Sequence, residues 1–382
     1  MKADFRDVLS SSEFDCLDFH DASKLNQQGK THVANCIRNL SFLLLKDIGY
    51  EHHYIPAEKT IREGLQTWSE KNMMHLIPEK RQALQAIMDL GAGCGEYFYH
   101  LCQDETKLVI AIVTTIMIAS DDDIVLSSEI RDGLSYYSYN QRQNLPQVND
   151  WCTALTKAHK MSTEYFGSQD PLVGGMFSGS FGSYIDACAH EARMEYELPL
   201  HLGNHGASHP SSEGCSVESF PSYFRASSGV PLAYIISIFK VSRYEEIPLR
   251  LWYPLIPDLI IFINYINDLI SCPKELLAGE RWGYLFMQTQ TKRQAGRPSR
   301  YKSKKDGLWT FRDTLCETLQ QVQSVTLSLD QAFTKCIKGD FGGSAQDGKS
   351  QIHEDLQLAD RLWKGFRNGY ISWHINCKRY GL

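Results

Sequence analysis

The sequence contains no CxxC pair, no internal repeat, no low-complexity tail and no apolar run long enough to cross a bilayer. Its 11 cysteines are scattered singly. An odd count at wide spacing speaks against a disulfide framework or a zinc module and for a reduced, cytoplasmic protein. The sequon Asn39-Leu40-Ser41 is therefore taken as accidental. The longest apolar run, "LVIAIVTTIMIA", covers only 108–119, short of the ~20 residues a spanning helix needs. The first residues, "MKADFRDVLSSSEFDCLDFHD", are acidic where a signal peptide would be apolar, which argues against secretion. Positive charge is not in excess: 39 Lys and Arg face 45 Asp and Glu, a net charge of −6. The chain as a whole has no electrostatic pull toward nucleic acid. Nor is there any series of short alternating strands with hairpin signals.

What is present is helical periodicity. With 382 residues, 43% hydrophobic and 22% charged, the chain has the composition of a globular protein. Apolar residues recur three and four apart over 33–49, 80–90, 147–166, 172–197, 244–272 and 311–336. The longest stripe runs through Ile352, Leu356, Ala359, Trp363, Phe366, Tyr370, Trp373 and Cys377. These patterns predict one all-α domain over 1–382, with about ten or more helices; residues 1–30 are expected to be poorly ordered or peripheral. Composition marks 201–215, 339–350 and the basic stretch 292–305 as loops, the last a mobile surface loop.

Within this pattern "IMDLGAGCGEYFYH" (87–100) has the look of a glycine-rich nucleotide loop. Such a loop needs a strand before it and further βαβ units after it. Upstream, Ala83, Ile87 and Leu90 are spaced like a helix face. The stretch 107–122 runs to about three times the usual strand length. The glycines are therefore expected to form a turn between two helices, and a methyltransferase is a distant alternative.

Read as a helix, the apolar run 107–122 ends in Asp121-Asp122-Asp123. Carboxylates are poorly placed at a helix C-terminus, where the macrodipole is negative. A divalent cation would resolve the conflict. In "INYINDLISCPKELLAGE", Asn267, Ser271 and Glu275 fall at i, i+4 and i+8 on one helix face. Amide, hydroxyl and carboxylate oxygens are hard ligands that suit Mg²⁺. Lys274 lies close to the same face, and Pro273 is expected to kink or end the helix between Ser271 and Glu275.

"NDLISCPKE" resembles the NDxxSxxKE signature of the class I terpene cyclases, and the chain is similar in particular to the fungal trichodiene synthase family. Arg225 stands 42 residues before Asn267, with Ser228 and Gly229 following it, like that family's diphosphate-sensing arginine and the helix break beside it. "GYISWHINCKRYGL" resembles the closing helix, with Arg379-Tyr380 as its Arg-Tyr pair. Asp121 precedes Asn267 by 146 residues, a separation compatible with the aspartate-rich motif. That motif departs from DDxxD in either register, since neither puts an acid at the fifth place.

The resemblance implies a class I terpenoid synthase bundle around a central apolar active-site cavity. It implies three Mg²⁺ ions, with Mn²⁺ tolerated, held by Asp121, Asp122, Asn267, Ser271 and Glu275. Arg225, Ser228, Gly229, Lys274, Arg379 and Tyr380 would bind the diphosphate, and Thr114 and Met117 would face the pocket. Asp121, Arg225, Lys274, Arg379 and Tyr380 would carry the chemistry. Three dications and the basic side chains would neutralise a departing diphosphate. The allylic cation left behind needs a dry pocket, where each aromatic face contributes roughly 0.5–2 kcal/mol. The implied substrate is farnesyl diphosphate; geranyl or geranylgeranyl diphosphate, or a silent prenyl-diphosphate binder, are the alternatives. A homodimer is compatible with the resemblance, and no membrane or nucleic-acid partner is implied.

The basic stretch includes "GRP", like a minor-groove hook, but its composition is that of a solvated loop, one that in the cyclase reading closes over the diphosphate. His201, His205 and His209 are evenly spaced, but Gly203, Gly206 and Pro210 preclude the helix that would align them as ligands. His190-Glu191 lacks the second histidine of a zincin.

Overall fold

The computed structural model describes residues 2–122, 126–197, 218–228, 230–280, 283–301, 307–338 and 346–377. Helices α1 (Phe5–Val8), α2 (Gln27–Asp47) and α3 (Lys59–Asn72) lead into α4 (Arg81–Phe98) and α5 (Asp104–Asp121). Next come α6 (Ser128–Asp132), α7 (Leu134–Arg142), α8 (Asp150–Phe166) and α9 (Pro171–Glu197). After α10 (Phe220–Ser228) and α11 (Pro231–Ile238), β1 (Lys240–Ser242) pairs antiparallel with β2 (Glu245–Glu246). Last are α12 (Leu249–Trp252), α13 (Ile256–Ala278), α14 (Tyr284–Gln294), α15 (Phe311–Lys338) and α16 (Gln346–Asn376). The fold is all-α, as its periodicity predicts; the hairpin is the only sheet among the described residues.

The helix boundaries follow local chemistry. Asn26 caps α2 through the Gly29 amide and Asn149 caps α8 through the Cys152 amide, each satisfying an amide left open in the first turn. Gly279, at φ +80°, ends α13 in the left-handed conformation that glycine adopts freely. Two elements depart from the sequence pattern. The helix expected over 244–272 gives way at its start to β2 and α12. Pro273 does not end α13, which continues to Ala278. Proline removes one helical hydrogen bond, but Ile270, Cys272, Pro273 and Leu276 are all buried, and burying these apolar side chains outweighs the roughly 3 kcal/mol proline cost.

The glycine stretch is not a turn but the interior of α4. A Cβ on Gly91 would collide with the Thr115 hydroxyl and come within 2.8 Å of the Ala111 carbonyl of α5. A Cβ on Gly93 would come within 2.7 Å of the Trp373 indole nitrogen of α16. The glycines let α4 lie close against both neighbours. The nucleotide-loop and methyltransferase readings end here. Gly91→Ala is expected to destabilise the protein by about 1–3 kcal/mol, as overpacking does, measurable as a shift in the urea unfolding midpoint.

The N-terminal residues are not peripheral. Phe5, Leu9 and Leu17 are fully buried. From α15, Arg312 Nε donates to the Leu9 carbonyl at 2.7 Å and Nη2 to that of Ser11 at 2.8 Å. Its Nη1 meets Asp15 at 3.1 Å and Asp18 at 3.2 Å.

The stretch Leu249–Ala278, though interrupted by polar residues and so not an unbroken apolar run, is by mean hydropathy long and apolar enough to cross a membrane, but 56% of its most apolar window is buried inside the fold. Most of it is α13, a core helix with α2, α15, α11 and α16 packed around it.

Away from these contacts, His159 of α8 is enclosed: Nδ1 lies 2.9 Å from the Tyr137 hydroxyl, Nε2 lies 2.8 Å from the Ser178 hydroxyl, and the ring stacks on Phe181. Burial pushes it down to about 4. Between pH 6.5 and 4 the unfolded chain binds a proton that the folded chain refuses. Stability therefore falls as the pH drops through this window, by up to about 3 kcal/mol. Urea titrations across this range should show the slope, and His159→Gln should remove this residue's share of it.

Candidate active site

The site is built on α13. Asn267, Ser271 and Glu275 share one helix face, as their spacing requires. Arg225 of α10 lies across from that face. Its Nε donates to Asp268 at 2.8 and 3.1 Å, and one terminal nitrogen donates to the Asn267 side-chain oxygen at 3.0 Å. Asn264 Nδ2 donates back to the Arg225 carbonyl at 3.3 Å. Burial opposes the charge on Arg225, but the Asp268 carboxylate prevails and holds it above its ordinary value. Asp268 is raised by burial, with Arg225 pulling it back only in part.

Asn267 is oriented from its other side by α16. His374 Nδ1 lies 2.7 Å from the Tyr370 carbonyl, so that nitrogen carries the hydrogen. Nε2 then accepts from Asn267 Nδ2 at 3.1 Å, which turns the amide oxygen toward Arg225. Burial pushes His374 down to about 4, keeping it the neutral acceptor this contact needs.

Glu275 closes the face. Burial pushes its carboxyl up to about 7, a hydrogen bond from Ser271 only partly offsetting it. The carboxylate sits against Gly283, the N-cap of α14, where any Cβ would strike it. Lys274 Nζ lies 3.8 Å from Glu280.

The aspartate end belongs to α5. Asp121 is the last residue of α5 and Asp122 its C-cap, with no basic residue in the last turn. Burial raises Tyr184 and Cys188 of α9 well above their ordinary values, and the Asp121 charge adds to it. Tyr184 donates to the Met117 carbonyl at 3.2 Å, and Met117 is buried. Thr114 lies about 10 Å before Asp121 along the helix, its hydroxyl 3.4 Å from that of Tyr234.

An aromatic chain leads from there to α13. The Tyr234 ring meets Phe98 edge-on at 5.8 Å, and Phe98 lies parallel to His374 at 6.4 Å. His374 holds Asn267. Phe98 also contacts Tyr370 and Trp373. Contiguous side chains thus connect Thr114 of α5 to Asn267 of α13.

Around Arg225 the chain breaks as expected: α10 ends at Ser228 and α11 begins at Pro231. Between them Val230 sits at φ +52°, a conformation that costs a β-branched residue of order 1–3 kcal/mol. Asp123, Gly229, Arg379, Tyr380 and the histidines of 201–215 lie outside the described residues, as does part of 339–350. The basic stretch departs from a mobile loop over its described part. Lys292 and Arg293 belong to α14. Lys292 and Arg300 flank the Trp309 ring and both meet Glu317, while Arg297 pairs with Glu218.

The residue set fits a dication. The α13 face offers only oxygen donors, and an enclosed carboxylate raised to about 7 is one that a nearby positive charge would stabilise. Asp268, His374, Phe98, Tyr234 and Gly283 were missed from the sequence. Asp268 lies inside the quoted motif, but nothing there says that it pairs with Arg225; His374 is one more ring in an apolar stripe.

No family model matches the chain. Terpene synthase BipA of Cochliobolus sativus is 24% identical over 340 residues, covering 89% of this chain and 87% of that protein. The (E)-beta farnesene synthase of Metarhizium brunneum is 26% identical over 263 residues, covering 68% and 73%. Over most of its length the chain is similar to fungal terpene synthases. Solved structures agree on the fold. Linalool/nerolidol synthase from Streptomyces clavuligerus, in complex with 2-fluorogeranyl diphosphate, matches at TM-score 0.57 with 13% identity, over 87% of this chain and 98% of that one. The structure of α-eudesmol synthase matches at 0.55 with 13% identity, over 85% and 98%. In this enzyme the α13 face and the α5 terminus stand as the candidate metal-binding ends.

Proposed function

We propose that the enzyme is a cytoplasmic, Mg²⁺-dependent sesquiterpene cyclase of the trichodiene synthase-like type, ionising farnesyl diphosphate and closing the resulting carbocation into a cyclic hydrocarbon or alcohol. The observation that carries this reading is the oxygen-only face of α13, with Glu275 raised and Asn267 held between His374 and Arg225. In the proposal Asn267, Ser271 and Glu275 hold one Mg²⁺, and Asp121 and Asp122 hold two more. Bound Mg²⁺ would neutralise the diphosphate so that it can leave.

The rest falls to the chain itself. Arg225 now donates to Asn267, and a dication on that amide oxygen would repel the guanidinium and favour its release from this bond. The N–H so released would serve the diphosphate, aided by Lys274 and by Arg379 and Tyr380. Phe98, Tyr234 and Trp373 offer π faces to the cation, and the buried run from Thr114 to Met117 keeps water away. Incubation with geranyl, farnesyl and geranylgeranyl diphosphate plus Mg²⁺, followed by gas chromatography, tests the substrate. A cyclic fifteen-carbon product from the farnesyl ester is expected. Turnover confined to another chain length would overturn that choice, and diphosphate-dependent stabilisation without pyrophosphate release would mark a silent binder.

A further inference from the structure

The strongest unassigned cluster lies between the N-terminal 3₁₀ turn and α2. His32 and Cys36 are four residues apart on α2 and so share a face. Facing them is Cys16, in the 3₁₀ turn Ser12–Leu17. The two sulfurs are 3.6 Å apart, and both sulfurs and an imidazole nitrogen all lie within 4.8 Å of one another. Among the described residues this is the one His, Cys and carboxylate group so compact. The spacing in the sequence conceals it, because one ligand comes from a separate turn.

We propose that Cys16, His32 and Cys36 bind a soft divalent cation of the Zn²⁺ class, with water in the fourth position. Two thiolates at about 2.3 Å from a tetrahedral ion stand about 3.8 Å apart, and a sulfur and an imidazole nitrogen about 3.6 Å. The observed sulfur separation is already close to that value. A disulfide needs about 2.05 Å, so the pair would have to close by about 1.5 Å more. Thiolate and imidazole select this ion class over Mg²⁺. His32 is exposed and the cysteines are partly so, which leaves a path in. Two thiolates cancel the dication's charge, so the half-buried site takes up no net charge as the thiols release their protons.

Occupancy would clip the N-terminal turn, already gripped by Arg312, to α2, which packs directly on α13. The site is independent of the cyclisation proposal.

Co²⁺ titration of the reduced, metal-free protein in excess Mg²⁺ tests it. A thiolate-to-cobalt charge-transfer band, saturating at one ion per chain, is expected, since the oxygen ligands of the α13 face cannot produce one. Zn²⁺ should abolish the band by displacement and raise the melting temperature. Cys16→Ser and Cys36→Ser should each lose the band, and His32→Ala should weaken binding, with helical content by circular dichroism unchanged. No band in the wild type, or a band that persists in both serine variants, overturns the site. So does a Cys16–Cys36 disulfide that, once reduced, leaves thiols taking up no ion.

Discussion

Glu275→Gln abolishes most turnover, by about 100-fold or more, while making the protein no less stable. Removing one preorganised contact that stabilises transition-state charge costs about 100- to 1,000-fold in other enzymes. The stability half of the expectation is specific to this structure. Burial pushes Glu275 up to about 7, so above that pH the folded protein carries a carboxylate it disfavours while the unfolded chain does not. An isosteric neutral amide relieves this, raising stability by about 1–3 kcal/mol at pH 8. Asp121→Asn should give the same loss of rate without the gain, because Asp121 is exposed. Steady-state rates beside urea unfolding of the same preparations check both. An active, unchanged Glu275→Gln enzyme would remove α13 from the metal site.

The second large effect concerns Arg225. Asp268→Ala leaves its guanidinium enclosed without a counter-charge, and breaking a buried pair in this way costs about 3–5 kcal/mol. Arg225→Ala strands Asp268 in turn, so both single variants should be unstable as well as slow. The double variant Arg225→Met/Asp268→Leu replaces the pair by apolar volume and should recover most of the stability. It should not recover turnover if Arg225 serves the diphosphate. Recovery of both would reduce Arg225 to a structural residue.

How much of this was legible in the sequence varies by residue. Periodicity gave the helices because one face of each is buried, and i, i+4, i+8 spacing suffices to align Asn267, Ser271 and Glu275. The Gly91–Gly95 stretch misled because a glycine used for close helix packing looks the same as one used for a turn; the difference lies in Thr115 and Trp373, which belong to other helices. Pro273 misled because local propensity does not count the burial of its neighbours. The Arg225–Asp268 pair and the His374–Asn267 contact join residues 43 and 107 positions apart, and no local pattern encodes such partners. The N-terminal turn was underestimated for the same reason: its anchor, Arg312, is some 300 residues away.

The central claim is that one diphosphate is held by metal ions shared between the α5 terminus and the α13 face. Anomalous scattering from crystals grown with Mn²⁺ and inorganic diphosphate tests this directly. The account predicts ions ligated by Asp121 and ions ligated by Asn267, Ser271 and Glu275, all touching the same diphosphate, with Arg225 moved off Asn267. Ions confined to one end, or a diphosphate bound away from α13, would contradict it.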